Sequence, residues 1–224
     1  MRRHRKRAHQ GELDFRSWGG PRRGAGPKRA GSRDRVPHRT REALSDRHPV
    51  HVTVRLHEGL PNLRRDAARA AIERSFRVAS GRFGFRLAQY SLQSNHVHLI
   101  AEAEDEDALS RGMQGLLVRV ARALNRLWAR SGSVFSDRFH ARQLRTPREV
   151  RSALVYVLKN ASHHGLRILG IDPFSSGPWF DGWNRDSTVD RPFPGAAARS
   201  WLLRIGWRRH GLIRLDERPR AASP

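Results

Sequence analysis

Between residues 49 and 165 the hydrophobic rhythm of the chain switches repeatedly between two periods, and this switching limits the possible folds more than any single motif. In residues 49–56, Val50, Val52, Val54 and Leu56 alternate with His51, Thr53 and Arg55, the pattern of a half-buried strand. Residues 63–79 are rich in Ala and Arg, with Ala67, Ala70, Ala71 and Phe76 at helical spacing. Phe85–Leu92 and residues 96–101 read as two strands of a hairpin around Gln93-Ser94-Asn95. The acidic run Glu104-Asp105-Glu106-Asp107 opens a helix, where carboxylates complement the amino-terminal dipole. Its apolar stripe is Leu109, Met113, Leu116, Leu117, Val120, Leu124 and Leu127.

Residues 134–144 read as a fourth strand. Thr146-Pro147-Arg148-Glu149 then spells a capping box with proline at the first helical position. The helix it opens is expected to run to His163 or His164 and to stop at Gly165. The order is β-α-β-β-α-β followed by one further helix, which predicts an α+β fold of ferredoxin-like type. In that arrangement two helices cover one face of an antiparallel sheet. The other face is left for a site, and the last helix is expected across or beside it.

The flanks have a different character. Residues 1–48 hold fifteen Lys/Arg against five Asp/Glu, with Gly and Pro throughout and no hydrophobic period, and are expected to form a disordered basic arm. Such an arm adds sequence-independent phosphate affinity, or serves only to solubilise. Residues 166–224 form a loop-rich extension with Trp179, Trp183, Trp201 and Trp207, four of the six tryptophans. It is expected to pack back on the domain, with a short amphipathic helix in residues 201–213; the alternative is that its aromatics stack on unpaired bases.

Charge narrows the partner. The formal net charge is +23, and residues 49–165 alone carry nineteen Lys/Arg against ten Asp/Glu. A polyanion is the natural partner, nucleic acid ahead of an acidic membrane surface. No apolar run approaches the length of a membrane span, and no signal-peptide core follows the basic start, so a cytoplasmic, nucleoid-associated protein is expected. Cysteine is absent, which excludes disulfides and thiolate metal sites.

Two short constellations carry chemistry. In a strand, residues i and i+2 share a face, so His96 and His98 project together while Val97, Leu99 and Ala101 face the helices. Two imidazoles on a rigid strand form a bidentate metal site; taken alone, the pair reads more readily as one turn-capping and one half-buried polar residue. On the capped helix, Val150, Ala153, Leu154, Val157, Leu158 and Ala161 form one face, and Ser152, Tyr156, Lys159 and His163 the opposite one. Asn160 stands at the edge of that polar face, one turn beyond Tyr156.

Together these groups suit metal-assisted phosphodiester transesterification. Mg²⁺ or Mn²⁺ held by His96, His98 and Asn160 polarises the scissile phosphate. The Tyr156 oxygen attacks in line and leaves a 5′-phosphotyrosine and a free 3′-hydroxyl. Lys159 adds positive charge and is expected to contact the DNA, and His163 is in the running to take the phenol proton. Arg138, Arg142 and Arg145, with Arg148 and Arg151 beyond them, flank the approach to Tyr156 and are expected to contact the DNA backbone.

Asn95-His96-Val97-His98-Leu99-Ile100 resembles the His-hydrophobic-His motif of the single-tyrosine HUH transposases. Tyr156-Val157-Leu158-Lys159-Asn160 is similar to their catalytic-helix motif, in which Gln or Asn follows the nucleophilic Tyr by four residues. Residues 134–142 resemble the strand before that helix in the REP-associated branch (RAYT). The resemblance spans residues 49–165 and implies a ferredoxin-like palm, Mg²⁺ or Mn²⁺, and single-stranded DNA substrates marked by hairpins. Two departures stand out: Ala161-Ser162-His163 follows Asn160 where the branch often carries Asn-Pro-Val, and Gln93-Ser94-Asn95 replaces a frequent Met-Pro-Asn.

The rival reading is a domesticated, non-catalytic nucleic-acid binder on the same fold. An RRM-like binder would show aromatics on the free face of its central strands, where this chain has His96 and His98. A replication initiator or relaxase more often carries two tyrosines on the helix, and Tyr90 lies on a strand.

Overall fold

The computed structural model describes residues 43–163, 170–185, 189 and 191–218. The basic arm is therefore outside the described residues up to position 42, as is the expected helix stop at Gly165. Four strands form one antiparallel sheet: β1 (Val50–Arg55), β2 (Phe85–Leu92), β3 (His96–Ala103) and β4 (His140–Gln143), in the order β2-β3-β1-β4. Helices α1 (Asp66–Ala79) and α2 (Glu106–Leu127) pack together, and α3 (Pro147–His163) follows β4. This is the ferredoxin-like α+β arrangement, with one helix added.

Strand alternation divides the sheet cleanly. Val50, Val52 and Val54 of β1 and Val97, Leu99 and Ala101 of β3 are buried in one cluster with Ile72 and Phe76 of α1 and Met113, Leu116 and Leu124 of α2. Gly112 permits close approach there, since a Cβ at that position would lie 2.2 Å from the Phe85 ring. Tyr90 also belongs to this core, and its hydroxyl donates to Glu73 Oε1 at 2.8 Å. Burial first, and the Glu73 carboxylate second, push the Tyr90 phenol far above its usual range.

The other face meets α3. Ala88 and Ile100 of the sheet join Val150, Leu154, Val157 and Leu158 in a second cluster, which Phe180, Trp183, Leu202, Leu203, Trp207 and Ile213 complete. The described part of the extension thus packs on the domain, as expected. It also shields the β2 edge: Leu92 N–H donates to Phe174 O, Ser176 N–H to Tyr90 O and Ala196 N–H to Leu87 O. Arg64 closes the same region with a two-pronged pair to Asp172, at 2.8 and 2.9 Å.

Local signals explain the helix starts. Asp105 caps α2 by accepting from Ala108 N–H at 2.6 Å. The α3 box closes in both directions: Glu149 N–H donates to Thr146 Oγ1 at 3.2 Å, and Thr146 N–H to Glu149 Oε2 at 3.1 Å.

Three expectations are corrected. In α1, Ala67 and Ala70 are exposed, and Ala68, Ala71, Ile72, Phe76 and Ala79 line the core. Alanine is too neutral to fix a helical phase, whereas Ile72 and Phe76 do. The fourth strand is shorter than residues 134–144: Phe135 makes only an isolated bridge to Leu56 before β4 begins at His140. Residues 201–213 form a short helix α4 (Trp201–Arg204) and a 3-10 turn (Gly206–His210) instead of one amphipathic helix.

Candidate active site

The antiparallel register of β1 against β3 sets Thr53 opposite His98 and Arg55 opposite His96. Opposed residues share a face, so His51, Thr53, His96 and His98 all project toward α3. His96 and His98 stack edge to face, with ring centroids 4.8 Å apart. His96 Nδ1 is 2.9 Å from Asn95 Oδ1, which orients its ring. His98 Nδ1 sits 3.1 Å from Thr53 Oγ1 and 3.3 Å from His51 Nε2. A histidine whose Nδ1 is engaged in this way presents Nε2 for ligation.

Tyr156 comes down on this cluster from α3. Its ring stands edge to face with His98 at 5.1 Å and with His51 at 5.7 Å between centroids. The side chain is half-buried against the second cluster, so it belongs neither to solvent nor fully to the core. Strand β3 and helix α3 therefore bring together two residues 58 positions apart, His98 and Tyr156, which the sequence linked only by their chemistry.

Asn160 follows one turn later and is wholly buried. Neither its amide nitrogen nor its amide oxygen has a hydrogen-bond partner among the described residues. A buried amide left unsatisfied is costly, and such a group calls for an explanation. No group of three or more His, Cys, Asp or Glu is placed to hold a metal among the described residues. Two imidazoles and an amide are, by donor chemistry, ligands that suit a divalent cation of borderline to hard character.

His51 was not singled out by the sequence reading. The signal was present in the β1 alternation, which already put His51 and Thr53 on the face away from Val50 and Val52. What was missing was the register that sets them beside His98. Burial, and then the Arg142 guanidinium, pull the His51 imidazole down to about 4, so it is neutral near pH 7.

The basic residues separate into two groups. Arg138, Arg142 and Arg145 are exposed at or beside β4, and Arg142 is opposite His51 in the register. Arg142 and Arg145 also line a cleft of about 390 Å³ whose other walls include Val50, Glu106 and Leu109, with no residue of the His–Tyr cluster among them. Lys159 departs from the reading that gave it a DNA contact: it is buried, and its Nζ donates to the Leu215 carbonyl. Burial lowers its pKa, against the pull of Asp216 and Glu217. Arg151 is similarly tied to the extension, through Glu217 at 2.6 and 2.9 Å and the carbonyls of Gly211 and Leu212. The His163 side chain lies outside the described residues.

Fold and site define an α+β protein with a ferredoxin-like sheet, a histidine cluster on its free face and a tyrosine brought onto it by an added helix. No family model matches the chain, and no curated protein matches it. Among solved structures, one of a REP-associated tyrosine transposase bound to a REP hairpin is similar, with 18% identity, a TM-score of 0.48, and coverage of 63% of this chain and 82% of that chain. No helix among the described residues is long and apolar enough to cross a membrane.

Proposed function

We propose that the chain is a transposase-like enzyme that nicks and rejoins single-stranded DNA through Tyr156, with substrates carrying hairpin elements. The observation that carries this reading is the Tyr156 ring packed edge to face against His98, at 5.1 Å. A tyrosine placed for stability alone would join the apolar stripe of α3; this one leans on two imidazoles of the opposite strand layer. Tyr90, the only other tyrosine, is committed to Glu73 in the core.

In the proposed reaction the Tyr156 oxygen bonds to the scissile phosphorus as the phosphorus–O3′ bond breaks. The products are a 5′-phosphotyrosine and a 3′-hydroxyl; the proton lost by the phenol balances the one gained at O3′. Attack by a 3′-hydroxyl on the phosphotyrosine reverses the step and joins strands, which is what transposition requires. His96, His98 and Asn160 are the residues that would hold Mg²⁺ or Mn²⁺. When bound, such an ion neutralises charge on the phosphate. Thr53 and His51 orient His98 through its Nδ1. Arg138, Arg142 and Arg145 neutralise the phosphates of the approaching strand.

The test is incubation of the full chain with single-stranded oligonucleotides bearing hairpins, with Mn²⁺ or with chelator, followed by a denaturing gel. A covalent adduct is expected for the wild type with Mn²⁺, and none for Tyr156→Phe. His96→Ala should bind the oligonucleotide while forming little adduct. An adduct that survives in Tyr156→Phe removes that residue as nucleophile, and cleavage by His96→Ala with unaltered metal dependence removes the metal assignment.

A further inference from the structure

The helical side of the sheet carries a charge pattern that the proposed reaction does not use. Beyond their first turns, α1 and α2 expose Arg74, Arg77, Arg111, Arg119, Arg122 and Arg126. Within the two helices no exposed carboxylate accompanies them: α2 has no acid after Asp107, and the one further acid of α1, Glu73, is buried and bonded to Tyr90. Glu104, just before α2, lies near Arg111 and Arg119 but does not line the α1–α2 groove. None of the six forms an ion pair among the described residues. Arg74 from α1 and Arg119, Arg122 and Arg126 from α2 line a groove of about 510 Å³ between the two helices, with Val78 and Leu127 as exposed apolar neighbours.

This arrangement has a cost within the free protein. Positions 119, 122 and 126 share one helix face, and like charges at that spacing oppose helix formation. The three span about 10 Å along α2 at the helical rise, and Arg74 adds a fourth guanidinium from the facing helix. A partner supplying dense negative charge offsets that repulsion more fully than diffuse counter-ions do. The Coulomb attraction is long-ranged enough to act before contact and falls with salt.

We infer that the α1–α2 groove is a second nucleic-acid surface, which binds the phosphate backbone of a double-stranded segment on the side of the sheet opposite the histidine–tyrosine cluster. Two features select a duplex over a single strand. No aromatic ring lines the groove, so unpaired bases have nothing to stack on. A duplex also presents about one charge per 1.7 Å of axis, twice the density of one strand, which matches four guanidiniums in a short groove. These four form no ion pair among the described residues, the Arg119 group donating to the Gly115 carbonyl. The apolar neighbours support the long arginine stems while the charged heads reach outward.

The inference goes beyond the proposed cleavage reaction and is tested without it. The full chain carrying Tyr156→Phe would be titrated into a labelled 20-base-pair duplex between 50 and 200 mM salt, with binding followed by anisotropy. Replacing Arg74, Arg119, Arg122 and Arg126 together by Gln is expected to reduce the slope of log affinity against log salt by about 3 to 4. Replacing the same four by Lys should leave that slope unchanged, since charge is kept. In the Tyr156 background, adduct formation on a short unstructured single strand should stay within twofold for both variants. An unchanged duplex slope in the Gln variant overturns the inference. Equal loss in the Lys and Gln variants assigns the arginines to structure and overturns it too. Circular dichroism and the melting temperature check that the Gln variant is folded; Gln is a good helix former. Absence of any adduct in the wild type would count against Tyr156 while leaving the duplex result standing.

Discussion

The two faces of the sheet obey different rules. Toward α1 and α2, side chains are apolar, wholly buried and mutually packed, and even the one phenol there has its acceptor in Glu73. Toward α3, the same strands present His51, Thr53, His96 and His98, and the helix that covers them brings a half-buried tyrosine and an amide without partners. The first face is complete as it stands. The second leaves the Asn160 amide without a hydrogen-bond partner among the described residues, and the proposed reaction draws on that amide.

The sharpest way to break this comparison is to truncate one large residue on each side. Phe76 is among the largest fully buried side chains and touches the Tyr90 ring at 5.2 Å between centroids. Phe76→Ala should cost about 3–5 kcal/mol, seen as a lower denaturant midpoint with unchanged slope. Asn160→Leu should do the opposite to stability. It replaces an unsatisfied amide by an apolar group of similar size, which removes a penalty of about 1–3 kcal/mol. The same variant should lose Mn²⁺-dependent adduct formation. If Asn160→Leu instead destabilises as Phe76→Ala does, the amide has a structural partner and the two faces are alike.

A smaller effect is expected at His51. Its contact with His98 Nδ1 fixes ring orientation, so His51→Ala should weaken Mn²⁺ binding by about 10–100-fold, the usual loss when an outer-shell partner is removed. Tyr156 remains in place in this variant, and saturating Mn²⁺ should restore much of the adduct yield. Calorimetric titration with Mn²⁺ alone separates this from a nucleophile effect. Unaltered Mn²⁺ affinity would leave His51 as a packing residue.

How much of this was legible depends on whether the determinant was local. Strands β2 and β3 were readable because alternation is a two-residue property, and β3 runs only two residues past its expected end. The starts of α2 and α3 were readable because Asp105 and Thr146-Pro147-Arg148-Glu149 announce caps within four residues. Helical phase set Tyr156 on the polar face of its helix, and chemistry alone joined it to the histidines. The fate of Lys159 was not readable, because the carbonyl it meets belongs to Leu215, 56 residues away in a segment without periodicity. His51 required the β1–β3 register, which pairs residues 47 apart. Local pattern thus wrote the scaffold, and long-range pairing decided which polar residues reach the site and which are taken up by the extension.

The smallest expected effect concerns the cap that aims α3 at the histidine face, and it has a defined sign with pH. Partial burial tends to raise the Glu149 carboxyl, but the N–H groups of Arg145 and Thr146 and the Arg142 guanidinium outweigh it and hold the group below its ordinary value. A depressed folded value means the charged carboxylate contributes stability above the unfolded value, near 4.3, and loses it as pH falls through the folded value. Glu149→Gln keeps a capping side chain but removes the charge. Its melting temperature should lie below the wild type at pH 7, and the gap should close as pH drops below about 4. Thr146→Ala removes the other half of the box and should cost about 1 kcal/mol at either pH. A gap for Glu149→Gln that persists at low pH would mean that the carboxylate charge does not stabilise this helix start, and that the aim of α3 depends on the packing of Val150 and Leu154 alone.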